Sequence, residues 1–454
     1  MSNPRVNPSQ VPCVLMWFRH DLRISDHPTL LTAASEAKRA GARLLCLWFF
    51  EERMLKRDTF GNIRTGRHRL NFLLQSVLAL SNELNSLGQT LITLRGDPVT
   101  GILNMLSGPL QIISVHASSH VTTEEVQQEQ ALERRLKEHR IPLILEWTHT
   151  LMRREQLPTT IDQIPDIFTH FRKLVEGRVA IDEPLPSPHS LPPPPQADQL
   201  SLWIDQLPGL RQQDQRTEER DPRAVIDFQG GAAHGLQRLE HYFWSSRKIE
   251  TYRETRNGFL HADESTKFSP WLSVGALSPK RIWSETLRYE RARVANQSTY
   301  WVRFELLWRE YFQWVALKFG ADIFKIDGLC RALGRTPPQR GSQALDLLIA
   351  WSSSKTGDRF VDAHMRELKE TGWMSNRGRQ NVASYLIHDL GLDWRMGAQY
   401  FEAHLLDYDP AVNWGNWAYI AGVGNDPRPL RRFNTLDQAL RYDPEGRYQD
   451  KWSE

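Results

Sequence analysis

Cysteine is scarce in this chain: Cys13, Cys46 and Cys330 are scattered over 454 residues with no Cys-x-x-Cys pair. That excludes a disulfide framework or a zinc ribbon and fits a reducing compartment; no metal site is expected. Long apolar runs are missing as well. None reaches eighteen residues, so no transmembrane helix and no membrane partner are expected. The first twelve residues are polar, carry one Arg and lack an apolar core. Neither a secretory signal nor an Arg-rich transit segment is therefore expected, and the expected location is the cytoplasm. A surplus of one charge is absent too. With 57 Lys+Arg against 54 Asp+Glu the net charge is +3, which neither demands nor forbids a polyanionic partner. What the chain has in excess is tryptophan: of 16 in total, twelve follow residue 240. A bias that uneven asks for a local reason.

The first 150 residues alternate between two patterns. Val14–Phe18, Leu44–Phe50, Thr90–Leu94, Gln111–Val115 and Pro142–Glu146 are short, continuous apolar runs. Continuity rather than alternation predicts strands covered on both faces. Helical periodicity separates them over Pro28–Ala40, Arg67–Leu87 and Thr122–His139. The last is strongly charged and reads as a surface helix with Val126 and Leu132 inward. Strand–helix repetition at this spacing predicts a doubly wound parallel α/β sheet of Rossmann-like type. No Gly-x-Gly-x-x-Gly follows the first strand, so the dinucleotide fingerprint is missing. Residues 183–198 are dense in proline and predict an extended connector. From about Asp227 strand-like runs cease and helical periodicity takes over. The expected organisation is an α/β domain over residues 12–150, a connector over 151–226 and an all-α domain over 227–454.

Four segments of the second half carry unusual chemistry. On a helix through Trp301–Trp314, Glu305, Trp308, Arg309 and Phe312 share one face. They read either as an ion pair on a partly buried helix or as polar contacts for an aromatic ligand. Asn376 and Arg379 stand beside Trp373 at a helix start, where anions are favoured. Leu406–Tyr419 packs two Asp, two Asn and two Trp into fourteen residues, a density that a plain core does not explain. Tyr252 and Ser265–Ser273 supply hydroxyl and Lys donors ahead of a helix, the composition of a phosphate-cradling loop without a Walker pattern.

Together these segments resemble the photolyase/cryptochrome family. So does Trp17-Phe-Arg-His-Asp-Leu-Arg23 after the first strand, and the resemblance runs over about residues 12–452. Within the family the chain is most similar to the DASH cryptochromes, through Tyr252-Arg-Glu-Thr-Arg-Asn-Gly258, Ser265-Thr-Lys-Phe-Ser-Pro-Trp271, Ser375-Asn-Arg-Gly-Arg-Gln380, Gly391-Leu-Asp-Trp-Arg-Met-Gly397, Asn413-Trp-Gly-Asn-Trp417 and Ala421-Gly-Val-Gly-Asn-Asp-Pro-Arg428.

The resemblance implies that the helical domain binds FAD folded into a U. Tyr252 and the loop of Ser265, Thr266, Lys267, Phe268 and Ser269 would contact its phosphates, and Glu305 and Arg309 would line the cavity near the adenine. Trp373 would pack around the cofactor. Arg379 would pair with Asp407 beside the flavin ring, Asp409 would lie near the ribityl and isoalloxazine, and Asn413 would face flavin N5. The implied reaction is blue-light-driven splitting of cyclobutane pyrimidine dimers. Glu305 would hydrogen-bond the dimer, Asn376 would contact it at the cavity floor, and Trp308 would form an aromatic wall for an extruded base. The second wall is Tyr419, where duplex enzymes typically carry Trp, and position 380 is Gln, where they typically carry Met. A more polar, weaker-stacking pocket gains less from extruding a dimer, so single-stranded or looped DNA is the expected substrate.

Flavin photoreduction in this family uses three Trp. Trp417 and Trp394 match the proximal and middle members, and Gly341 stands where the distal one is expected. Arg377, Arg428, Arg431 and Arg432 are the expected DNA contacts at the cavity rim. A 5,10-methenyltetrahydrofolate antenna would be held through a carboxylate after the fourth strand. His120 stands nearest, with Glu124 and Glu125 beyond it, and the two glutamates also read as helix N-terminal charges. The competing function is a non-catalytic blue-light photoreceptor that binds DNA and regulates transcription. The long tail of signalling cryptochromes does not follow Tyr442–Arg447, which favours DNA work. A monomer is expected.

Overall fold

A computed structural model describes residues 11–196, 220–329, 338–425 and 432–453. The five apolar runs form strands β1 (Val11–Phe18), β2 (Arg43–Phe50), β3 (Leu91–Arg95), β4 (Leu110–Ser118) and β5 (Leu143–Glu146). They pair in parallel in the order β3-β2-β1-β4-β5. Helices α1 (Pro28–Ala40), α2 (Arg67–Ser86), α3 (Pro98–Met105) and α4 (Thr123–Glu138) make the crossovers. The period-2 geometry of a strand explains why the runs are continuous. Cys13, Leu15 and Trp17 face α3 and α4, while Val14, Met16 and Phe18 face α1 and α2.

One expectation is corrected here. Helix α4 is not a plain surface helix with Val126 inward: its buried residues are Glu125, Glu129, Leu132 and Leu136, and Val126 is only half-buried. The glutamates are tolerated because Arg19 pairs with Glu129, and Arg53 reaches Glu125 at 3.3 Å. The connector also holds an element of its own ahead of the proline-dense stretch. It contains helix α5 (Phe168–Val175), which buries Phe168, Phe171 and Val175. The proline-dense stretch is extended as far as residue 196 and is pinned to the sheet: Pro193 O accepts from Leu44 N at 3.2 Å and Pro192 O from Gln89 Nε2 at 2.8 Å. Residues 197 and 198 lie outside the described residues.

From Asp227 on, no strand occurs among the described residues. The helices are α6 (Ala232–Glu240), α7 (Ser269–Ser273), α8 (Pro279–Ala292), α9 (Gln297–Phe319), α10 (Ser342–Ser352), α11 (Arg359–Thr371), α12 (Asn376–Ser384), α13 (Trp394–His404), α14 (Pro410–Ile420), α15 (Thr435–Tyr442) and α16 (Arg447–Lys451), with short turns between them. Among the described residues none is long and apolar enough to cross a membrane. Helix α9 runs through the middle, its first N–H groups capped by Asn296 at 2.8 and 2.9 Å.

The residues after β1 stitch the two halves together. Arg23, wholly buried, donates to four carbonyls, those of Ser25, Asp26, Thr148 and Gly275. Leu22 N donates to Val274 O at 3.1 Å. Gly275 has φ +69°, and a Cβ there would stand 2.1 Å from His20 O, so the approach requires glycine. One apolar cluster runs from Val14 and Phe18 through Trp271 and Leu277 to Trp314.

Candidate active site in the helical half

A cavity of about 450 Å³ opens among α7, α9, α12, α13 and α14. Helix periodicity delivers the α9 face to it: Glu305, Trp308, Arg309 and Phe312 all line it. Glu305 forms an ion pair with Arg256 and accepts from Trp301 Nε1 at 3.1 Å. Burial raises its pKa, and Arg256 offsets only part of that.

Trp308 is held from behind. Phe168 of α5 stacks on it with ring centroids 3.7 Å apart and planes 14° from parallel. On its other side Tyr419 meets it edge-to-face at 6.0 Å.

Tyr252, Ser265, Thr266, Lys267, Phe268 and Ser269 form one end of the cavity. Arg238 ties the loop back, donating to the carbonyls of Ala262, Ser265 and Thr266 at 2.9–3.0 Å and to Asp263 at 2.6 Å. Lys267, at φ +53°, lies over the Trp373 ring at 4.9 Å and donates to His261 O at 3.1 Å. Burial lowers its pKa to about 8, which leaves a cation donor available near neutrality.

Arg379, also in the lining, donates to Asp407 Oδ2 at 2.8 Å and to Met374 O at 2.9 Å. The other carboxylate oxygen, Asp407 Oδ1, is buried without a partner. Asp409 caps α14 by accepting from Val412 N at 3.2 Å, and it accepts from Gln313 Nε2 at 2.8 Å. His149 Nε2 lies 3.1 Å from Asp409 Oδ2 and also against Arg309, whose Nη1 donates to His149 O at 2.7 Å. One ring nitrogen cannot donate to the carboxylate and accept from the guanidinium at once. Burial and the Arg309 charge lower the His149 pKa to about 4, so the ring is neutral, and its tautomer sets whether Nε2 donates to Asp409 or accepts from Arg309. Burial alone would raise the Asp409 pKa. Its hydrogen bonds and Arg309 reverse this and hold it well below the usual carboxylate range.

Asn413 lines the cavity, and its Nδ2 donates to Ala398 O at 3.0 Å, so a ligand would meet the amide oxygen. Asn376 and Gln380 line it as well, Asn376 at the exposed edge. Trp417 reaches the lining; Trp394 lies behind it, packed on Trp414 at 5.6 Å with its indole N–H on Ile326 O at 3.0 Å.

Neither Arg377 nor Arg432, expected at the rim, is among the cavity's lining residues, and both are engaged elsewhere. Arg377 donates to Asn257 at 3.1 Å and lies over Tyr442 at 4.9 Å, and Arg432 pairs with Asp389 at 2.5 Å. Arg428 and Arg431 fall outside the described residues. His120 is buried beside His20 and His149. Glu124 pairs with Arg53 and Arg64, and Glu125 with Arg53. A small pocket lies beside His120 and Glu125, lined also by Trp17, His20, Trp48 and Arg53.

Sequence reasoning missed Arg238, Arg256, Phe168 and His149. Arg256 stands inside a quoted motif and could have been found. His149 carries no local signal, since its partners are on α9 and α14.

The cavity's donor set fits a folded dinucleotide with a polar ring. Asp407 Oδ1 awaits an N–H, the 265–269 loop offers hydroxyls and a cation, and the walls between are aromatic. Two family descriptions match the chain: DNA photolyase over residues 14–192 and the FAD binding domain of DNA photolyase over 301–454. The chain is 45% identical to a cryptochrome DASH of Gloeobacter violaceus, covering 97% of this chain and 85% of that one. It is similar to the crystal structure of a Synechocystis cryptochrome, with TM-score 0.89, 41% identity and coverage of 98% and 89%. A bacterial class III photolyase from Agrobacterium tumefaciens aligns with TM-score 0.78 at 26% identity, covering 99% and 88%.

Proposed function

The chain belongs to the photolyase/cryptochrome family, in its DASH group, and on that premise we propose that it repairs cyclobutane pyrimidine dimers in single-stranded or looped DNA under blue light. When bound, reduced FAD supplies on excitation the electron that opens the cyclobutane ring and takes it back afterwards. The protein's part is to bind, orient and exclude water.

Lys267 and the hydroxyls of Ser265 and Thr266 would hold the phosphates. Asp407, already paired with Arg379 on one oxygen, would accept a ring N–H on the other. The Asn413 amide oxygen would face the ring edge, and Asp409 would stay ionised and orient Arg309. Trp308, backed by Phe168, would offer one flat face to an extruded base. Glu305 would hydrogen-bond the dimer and release Arg256 to the DNA backbone as it does so. Arg377 would join that rim after leaving Asn257. An already unpaired strand suits a pocket whose second wall is the smaller Tyr419.

The observation that carries this reading is Glu305. It is a half-buried carboxylate that lines the cavity of an FAD-binding domain beside a braced aromatic wall, and desolvation there raises its pKa. The test is to irradiate a dimer-containing single-stranded oligonucleotide with the purified, flavin-loaded chain. Dimers should revert under blue light and persist in the dark. If flavin is reduced and no dimer reverts, the repair reading fails. The photoreceptor reading then stands, favoured by the edge-to-face contact of Trp308 and Tyr419, which leaves little room between the walls.

A further inference from the structure

We propose that Trp351 is an electron-relay residue of this chain and takes the part of the ring missing at position 341. The proposal rests on Trp417 being the residue that hands an electron to the cofactor.

Gly341 caps α10 at φ +83°, and a Cβ there meets nothing described within 4 Å. No aromatic side chain can stand at that position, so a relay that runs Trp417, Trp394 and then position 341 ends at Trp394. Trp394 makes its ring contact with Trp414.

Trp417 has a second neighbour. Its ring meets Phe401 at 5.0 Å and Trp351 at 6.3 Å, the latter edge-to-face at 75°. Phenylalanine is too hard to oxidise to carry a hole left on an indole; tryptophan is its equal in potential. Trp351 has no solvent exposure, and its indole N–H donates to Val382 O at 3.1 Å. Beyond it Tyr400 lies at 5.3 Å, with its hydroxyl on Ser352 O at 3.0 Å. Losing an electron would oblige Tyr400 to lose its phenolic proton, and a backbone carbonyl is not a base. The hole therefore stops on Trp351.

The electrons balance as follows. One electron passes from the Trp417 indole to a light-excited oxidised flavin in the cavity. One electron from Trp351 then restores Trp417. Trp351 is left one electron short and keeps its proton in the bond to Val382 O. It is refilled by return from the flavin or by a thiol reductant in solution.

The experiment compares flavin-loaded Trp351→Phe, Trp394→Phe and Trp417→Phe with the parent chain. Bound flavin is read by absorbance before illumination. Tryptophan-radical lifetime is then followed by transient absorption, and photoreduction by a thiol in steady light. Trp351→Phe is expected to lose the long-lived radical and most of the photoreduction, and Trp394→Phe to keep both. Loss of the radical in Trp394→Phe overturns the proposal whether or not the Trp351 variant folds, and so does a full signal in Trp351→Phe. Undiminished photoreduction in Trp417→Phe would instead remove the reading of Trp417 on which the proposal rests.

Discussion

Glu305, half-buried, and Asp409, buried, are carboxylates at one cavity, and desolvation alone would push both toward the protonated form. Their neighbours separate them. Glu305 has Arg256 and one indole N–H, while Asp409 has Arg309, Gln313 and a helix N-terminus. Glu305→Ala should therefore slow dimer reversal by about ten- to a hundredfold, the value of about 1.5–3 kcal/mol for a hydrogen bond to a charged group, while flavin absorbance is unchanged. Asp409→Ala leaves Arg309 buried with a neutral histidine, which should cost about 3–5 kcal/mol in chemical denaturation. Glu367 supplies a pH test. It is wholly buried, accepts from Tyr448 Oη at 2.7 Å, and burial raises its pKa to about 8. The folded state then binds the extra proton between about pH 4.5 and 8, so the parent chain loses stability as pH rises through that window. Glu367→Gln does not titrate. It should gain on the parent by up to about 1.4 kcal/mol per pH unit there, read as the difference of two denaturation series.

Helix α5 shows what an element contributes beyond its own residues. It lies in the segment expected as connector, ahead of the proline-dense stretch, and Phe168, Phe171 and Val175 recur at i, i+3 and i+7, the two phenylalanines packing on α9. The periodicity was present in the sequence and was outweighed by the composition around it. Phe168→Ala should cost about 3–5 kcal/mol as a buried aromatic truncation. It should also weaken binding of a dimer-containing oligonucleotide more than that of an undamaged one, because Trp308 loses its backing; gel-shift titration of both strands checks this. Helix α4 errs the other way. Its charge density predicts an exposed helix, but the arginines that pair with Glu129 and Glu125 come from after β1 and after β2, 110 and 72 residues away and beyond any local pattern's reach.

At the scale of the molecule, the α/β half is an anchor for the cavity as much as a neighbour. Arg23 ties it to Gly275 and His149 enters the charge cluster at Asp409, while Phe168 of the connector braces Trp308. Because the cavity draws on so much of the chain, cofactor binding should stabilise the whole of it. Removing flavin should lower the thermal midpoint, and flavin at 100 times its dissociation constant should restore about 2.7 kcal/mol, read by calorimetry as a midpoint that rises with flavin concentration. The sequence by itself determined the parallel sheet, the all-α half and most of the cavity lining, because strand and helix periodicities are local and the lining residues cluster in four short segments. Only the tertiary structure decided the directions in which the pKa values of Glu305, Asp409 and His149 move, the bracing of Trp308 and the contact between Trp417 and Trp351. Each depends on groups distant in the chain whose charge and packing act through space, and no spacing along one segment encodes them.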